Sequence, residues 1–233
     1  MEVGSLYREP ERREHLSFGA LEFHDVFRLY RSGTAETVAL RGLDLRIEER
    51  EVVAVFGPSG SGKTTMLRLA AGLDRASAGD VRAFGTPLSH LDERGLARYR
   101  ARDLALVFQS GNSWPWLTVR ENVALTLRLA GGHGGDDALA AFGLGGRSGQ
   151  RAGSLSGGEQ QRLAIAAAAA RRARLVLADE PTAELDARNE EAVLAQFVRL
   201  RDEHGATVVV VTHSSRVAAI ADRVVELRDG RLA

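Results

Sequence analysis

Eight residues constrain this 233-residue chain more than any other feature. Gly57-Pro58-Ser59-Gly60-Ser61-Gly62-Lys63-Thr64 fits the spacing G-x-x-x-x-G-K-[ST]. The apolar run Glu51–Phe56 comes directly before it, and the stretch Gly62–Gly72 after it has helical character. Glycines at these places let successive backbone N–H groups turn into one concavity, a nest for phosphate oxygens. The helix that follows adds the partial positive charge of its N-terminus. The Lys63 ammonium is placed to reach the terminal phosphates, and the Thr64 hydroxyl to ligate Mg²⁺. Gly57 to Thr65 is therefore the expected nucleotide-binding segment. Composition sharpens the point at one residue. Thirty of the 31 basic residues are Arg, and the single Lys is Lys63. A compact ammonium is kept at the one position where a planar guanidinium is a poor substitute.

A bound nucleotide phosphate needs a metal, and the metal needs a carboxylate. Leu175-Val-Leu-Ala-Asp179-Glu180 supplies one at the end of a buried strand. Ligands gather at this edge of a parallel sheet. Asp179 is the expected Mg²⁺ partner, through its water shell. Glu180, the next residue, is the candidate to orient or deprotonate an attacking water.

Along the chain, strand-like and helix-like pieces alternate, as in a largely parallel α/β sheet. Leu21–Tyr30 and Val38–Ile47 alternate apolar and polar residues, as half-buried antiparallel strands do. Val81–Phe84, Leu104–Gln109, Leu175–Ala178, Thr207–Thr212 and Val224–Leu227 are the further expected strands. Thr118–Ala130, Gly157–Ala173 and Asp186–His204 are expected helices, the first with Thr118 as N-cap and Glu121 three residues on. Residues 1–17 form a polar arm, and 18–233 one domain in which a helical block at about 86–155 interrupts the alternation.

Charge and composition remove several functions. Thirty-one acidic residues balance the basic ones, so no phosphate-neutralising surface for nucleic acid is expected. The absence of cysteine rules out disulfides and thiolate chemistry. No apolar run approaches the about 18 residues of a membrane span, and Met1–Glu14 lacks the apolar centre of a signal peptide. A cytoplasmic protein is expected.

Leu155-Ser-Gly-Gly-Glu-Gln-Gln-Arg162 then identifies the family. With the phosphate loop, Asp179-Glu180-Pro181, Leu185-Asp186 and His213, the chain resembles the nucleotide-binding subunits of ABC transporters over roughly residues 20–233. The resemblance implies a P-loop NTPase (RecA-like) α/β core, an antiparallel β subdomain and an inserted α-helical subdomain. It implies ATP and Mg²⁺ as cofactors. Gln109 becomes the loop residue sensing Mg²⁺ and the attacking water, and His213 the contact to the γ-phosphate. Asp186 belongs to the loop crossing a dimer interface. Tyr30 is the candidate to stack on adenine, with Phe27, or no stacking at all, as the alternative. Ser156-Gly157-Gly158, at the start of a helix, make a second anion site facing the phosphate loop of another subunit. A homodimer or paired subunit holding two nucleotides follows, driving an integral-membrane permease from the inner face of the cell membrane.

Glu36–Arg41, Leu96–Arg100 and Leu175–Pro181 with Leu185–Asn189 are similar to the branch serving lipoprotein release, macrolide export and cell division. Two stretches depart from the family pattern. Gly131–Ser154 is short and glycine-rich, which implies a trimmed helical subdomain. Glu184 adds a carboxylate in the crossing loop, where it would weaken the closed dimer. At least one of Trp114 and Trp116, just beyond Gln109, is expected to line the groove for the permease, the alternative being that both belong to the subdomain core. A soluble ABC ATPase acting on ribosomes or DNA is the alternative, and a P-loop kinase would leave the octapeptide unexplained.

Overall fold

The computed structural model describes residues 18–33 and 35–233. The expected polar arm at 1–17 lies outside the described residues.

The chain begins with two long antiparallel strands, β1 (Leu21–Ser32) and β2 (Ala35–Ile47). β3 (Val52–Phe56) leads through the glycine loop into α1 (Lys63–Ala70). Then come β4 (Ala78–Ala83), β5 (Thr86–Pro87), α2 (Glu93–Arg102) and β6 (Leu104–Val107). A helical stretch follows, with α3 (Val119–Leu129), α4 (Asp136–Ala141) and α5 (Gly157–Ala170). The last part runs β7 (Leu175–Asp179), α6 (Ala187–His204), β8 (Thr207–Thr212), α7 (Ser215–Ala218), β9 (Arg223–Arg228) and β10 (Arg231–Leu232).

Two sheets result. The order β10-β9-β3-β8-β7-β6 makes the larger one, in which β9, β3, β8, β7 and β6 are parallel neighbours. The order β2-β1-β4-β5 makes the antiparallel one. Parallel strands covered on both faces are apolar along their whole length, and β8 (TVVVVT) is buried throughout. Its residues divide by parity. Val208 and Val210 join Val52, Ala54, Leu163 and Phe197 on one side of the sheet. Val209 and Val211 join Val53, Val55, Met66 and Leu43 on the other.

The stretch 86–155, expected as one inserted helical block, contributes to two core clusters. β6 is the edge strand of the large sheet. α2 buries Leu96 and Tyr99 in the same core as α1, and the Tyr99 hydroxyl donates to the Ala70 carbonyl at 2.8 Å. The part beyond about residue 108 packs on the opposite side, where Val119, Val123 and Leu139 share a core with Leu163, Val107 and Val208. There Thr118 and Glu121 form a reciprocal capping box at the start of α3. Between Gly131 and Ser154 the chain holds α4 and two short 3₁₀ turns.

Candidate nucleotide site

β3, β7 and β8 end side by side, so Gly57–Thr65, Asp179–Glu180 and His213 meet at one sheet edge. The tight path of the phosphate loop explains its glycines. A Cβ on Gly57 would lie 2.1 Å from the Leu227 carbonyl oxygen and 2.6 Å from Ser61 Oγ. Gly62 has φ +104°, and a Cβ there would lie 2.5 Å from the Ala39 carbonyl oxygen. Lys63 Nζ donates to the Gly57 carbonyl at 2.6 Å and to the Pro58 carbonyl at 3.0 Å. The ammonium is thus held over the loop it serves.

A cleft of about 480 Å³ opens beside this loop. Ser59 to Thr65, Asp179 and Glu180 line it, together with Tyr30 and Thr37–Ala39. The Tyr30 hydroxyl donates to Asp74 Oδ2 at 2.8 Å, and the Arg28 guanidinium lies 4.4 Å from the Tyr30 ring centre. Arg28 also pairs with Asp74 at 2.8 Å. Tyr30, not Phe27, is the aromatic on the cleft wall.

Thr64 Oγ1 and Asp179 Oδ1 are 3.5 Å apart. Burial pushes the Asp179 carboxyl above the usual aspartate range, and the neighbouring Glu180 charge adds to it. Two hard oxygen donors suit Mg²⁺, which keeps its waters and takes phosphate oxygens. Among the described residues no cluster of three or more His, Cys, Asp or Glu offers a dedicated metal cage. The donor set fits a metal carried in with a nucleotide.

Glu180 has a left-handed backbone, φ +46°. This is uncommon for a residue with a side chain and costs of order 1–3 kcal/mol. Its N–H donates to the Val211 carbonyl at 2.9 Å, which fixes the turn. The carboxylate faces His213, with Oε1 3.0 Å from Nδ1 and Oε2 accepting from the His213 N–H at 3.3 Å.

The remaining candidates stand away from the cleft lining. Gln109 Nε2 donates to Glu184 Oε1 at 2.9 Å, so the unusual carboxylate holds the glutamine of its own chain. Asp186 caps α6 by accepting from the Asn189 N–H at 2.9 Å. Ser156 caps α5 in a second capping box with Glu159. Its N–H and hydroxyl hold the Glu159 carboxyl below the usual range. Ser156, Gly157 and Gly158 do not line this cleft. Gln161, inside the octapeptide, is buried and donates to the carbonyls of Phe108 and Gln109 at 2.9 and 2.7 Å. It joins α5 to the Gln109 loop, a role that no local pattern announced. Asn122 likewise organises the turn before α3, exchanging hydrogen bonds with the Trp114 backbone. Both tryptophans reach the surface, Trp116 with 66% of its area exposed.

The family described as ABC transporter matches residues 40–183, more than half of the chain. The chain belongs to the ABC transporter family. It is 41% identical to the lipoprotein-releasing system ATP-binding protein LolD of Anaeromyxobacter dehalogenans, covering 94% of this chain and 95% of that one. It is 42% identical to the macrolide export ATP-binding/permease protein MacB of Rhodopirellula baltica, covering 91% of this chain but only 32% of the relative. The chain thus spans about a third of the length of such macrolide-export relatives. Among solved structures, this ABC cassette superposes on the dimeric post-hydrolysis cassette MJ0796 bound to ADP and Pi. The TM-score is 0.82 at 36% identity, covering 91% of this chain and 96% of that one. These relatives also carry the lipoprotein-release and macrolide-export names that the branch resemblance implied.

Proposed function

We propose that this chain binds ATP with Mg²⁺ and hydrolyses it as the motor subunit of an ABC transporter. Two copies sandwich two nucleotides and drive a separate integral-membrane permease from its cytoplasmic face. The observation that carries the proposal is the meeting of the Lys63 loop, the Thr64–Asp179 pair and the Glu180–His213 pair at one sheet edge.

Chemically, each group has a distinct task. Loop N–H groups and Lys63 bind the phosphates, and Tyr30, steadied by Asp74 and Arg28, offers its ring to the base. Thr64 and Asp179 would hold Mg²⁺, which Gln109 would reach only on leaving Glu184, and the metal would supply charge neutralisation for the transferred phosphate. Glu180 orients a water toward the γ-phosphorus and takes its proton. The P–O bond to ADP breaks, and phosphate leaves. His213 keeps the Glu180 carboxylate aimed and contacts the γ-phosphate. Ser156–Gly158 and Asp186 complete the site of the second copy, which accounts for their absence from the cleft of their own chain.

Among the described residues no helix is long and apolar enough to cross a membrane. The exposed Trp116 is assigned to the permease groove. The test is phosphate release from ATP by the purified chain, together with nucleotide titration and co-purification from solubilised membranes. ATP hydrolysis that needs Lys63, and a co-purified permease, are expected. Ribosome association without a membrane partner would favour the soluble alternative.

A further inference from the structure

Behind the Glu180–His213 pair lies a carboxylate that none of the motifs includes. Glu190 sits in the first turn of α6, yet is only 8% exposed. A buried carboxylate is costly unless it is hydrogen-bonded, and Glu190 accepts from three donors. Ser214 Oγ donates to Oε1 at 2.6 Å, and Thr182 Oγ1 to the same oxygen at 3.2 Å. Arg216 Nη1 donates to Oε2 at 3.2 Å.

The positions of these donors give the cluster its meaning. Thr182 is buried two residues after Glu180, and Ser214 is the residue after His213. Ser214 stands at the N-cap of α7, but its hydroxyl makes no capping bond. It goes to Glu190 instead. The Ser214 N–H donates to Thr212 Oγ1 at 3.0 Å, so this loop is pinned at both ends of one residue. One carboxylate therefore ties together the turn that carries Glu180 and the loop that carries His213.

The geometry points to Glu190 as a positioning residue for hydrolysis: bound to Ser214 and Thr182, it fixes His213 against Glu180. Buried polar networks of this sort specify one arrangement rather than add stability. The inference rests on Glu180 and His213 being the hydrolytic pair.

The test uses the full chain with saturating ATP and Mg²⁺, measuring phosphate release, KM for ATP and melting temperature. Glu190→Ala should lower kcat at least about tenfold while KM stays within about threefold, because the phosphate contacts are elsewhere. Ser214→Ala, a milder change, should lower kcat in the same way by about threefold. It keeps the test decisive if Glu190→Ala does not fold. Glu190→Gln keeps an acceptor oxygen for Ser214 and should restore part of the rate. In a His213→Ala background the Glu190→Ala change should cost less than about twofold further, since residues acting through one another are not additive. A full Glu190→Ala loss that persists in that background would overturn the inference, as would a raised KM at unchanged kcat. A His213→Ala variant with the wild-type rate would remove the underlying pair as well. A slow His213→Ala beside a normal Glu190→Ala would sink the positioning role alone.

Discussion

Glu180→Gln separates binding from hydrolysis at this site. The exchange keeps the side chain's size and an acceptor oxygen for His213 Nδ1, now 3.0 Å away. The second contact, from the His213 N–H at 3.3 Å, is lost if the amide nitrogen faces it. That costs about 0.5–1.5 kcal/mol. The larger loss is the base itself, since a positioned general base contributes about 10²–10⁴-fold, or about 2.7–5.5 kcal/mol of barrier. The rate should fall roughly a hundredfold or more, with tenfold as the minimum consistent with the role. Nucleotide affinity should change by less than about threefold, because Lys63, Thr64 and the loop N–H groups are untouched. The variant should therefore accumulate as an ATP-bound dimer, which light scattering with ATP and Mg²⁺ detects beside phosphate release. Hydrolysis at the wild-type rate would take Glu180 out of catalysis. A slow variant that binds ATP but stays monomeric would leave the base in place and refute the sandwich.

Three further changes test other parts of the molecule. Lys63→Arg keeps the charge, but a guanidinium must fit where Nζ lies 2.6 Å and 3.0 Å from two loop carbonyls; ATP affinity should drop at least about thirtyfold, the worth of one charge-assisted hydrogen bond, and affinity within about twofold of wild type would contradict this. Glu184→Ala, made in the Glu180→Gln background, removes a carboxylate from the proposed dimer seam and should raise the ATP-dependent dimerisation constant about two- to fivefold; an unchanged or lower dimer fraction by light scattering would mean that the Gln109–Glu184 contact matters more than the charge. Asp222 is pushed up by burial, but the Val52 N–H and Arg201 outweigh this and hold its carboxyl below the ordinary 3.8. A depressed carboxyl stabilises the fold above its unfolded value and loses that contribution as pH falls through the folded one. Asp222→Ala should thus lower the melting temperature at pH 7, and the gap should close below about pH 4; a gap independent of pH would assign the effect to packing.

Chemistry that requires one local backbone shape is legible because neighbouring residues create that shape. The phosphate loop is such a case: Gly57 and Gly62 are there because a Cβ would strike Leu227 or Ala39, so the pattern and the fold state the same constraint. β3, β7 and β8 are legible for a related reason, since burial on both faces demands an unbroken apolar run. Pairings distant in sequence leave no such trace. Nothing near Leu96 or Tyr99 says that α2 packs beside α1 rather than with the later helices; the contact to Ala70 decides it. Tyr30 meets Asp74 from 44 positions away. Gln161 reaches the Gln109 carbonyl from 52. The left-handed backbone of Glu180 arises from its bond to Val211 on the neighbouring strand. Glu190 makes the sharpest case. In the chain it is one more charged residue in Asn189-Glu-Glu-Ala192, and a solvent-facing helix position is the ordinary expectation. Its meaning comes only when the sheet order brings β8 beside β7, so that the turn after Glu180 and the loop of His213 become neighbours with one carboxylate beneath both. The groups proposed to react are written locally, and the group proposed to aim them is written in the topology.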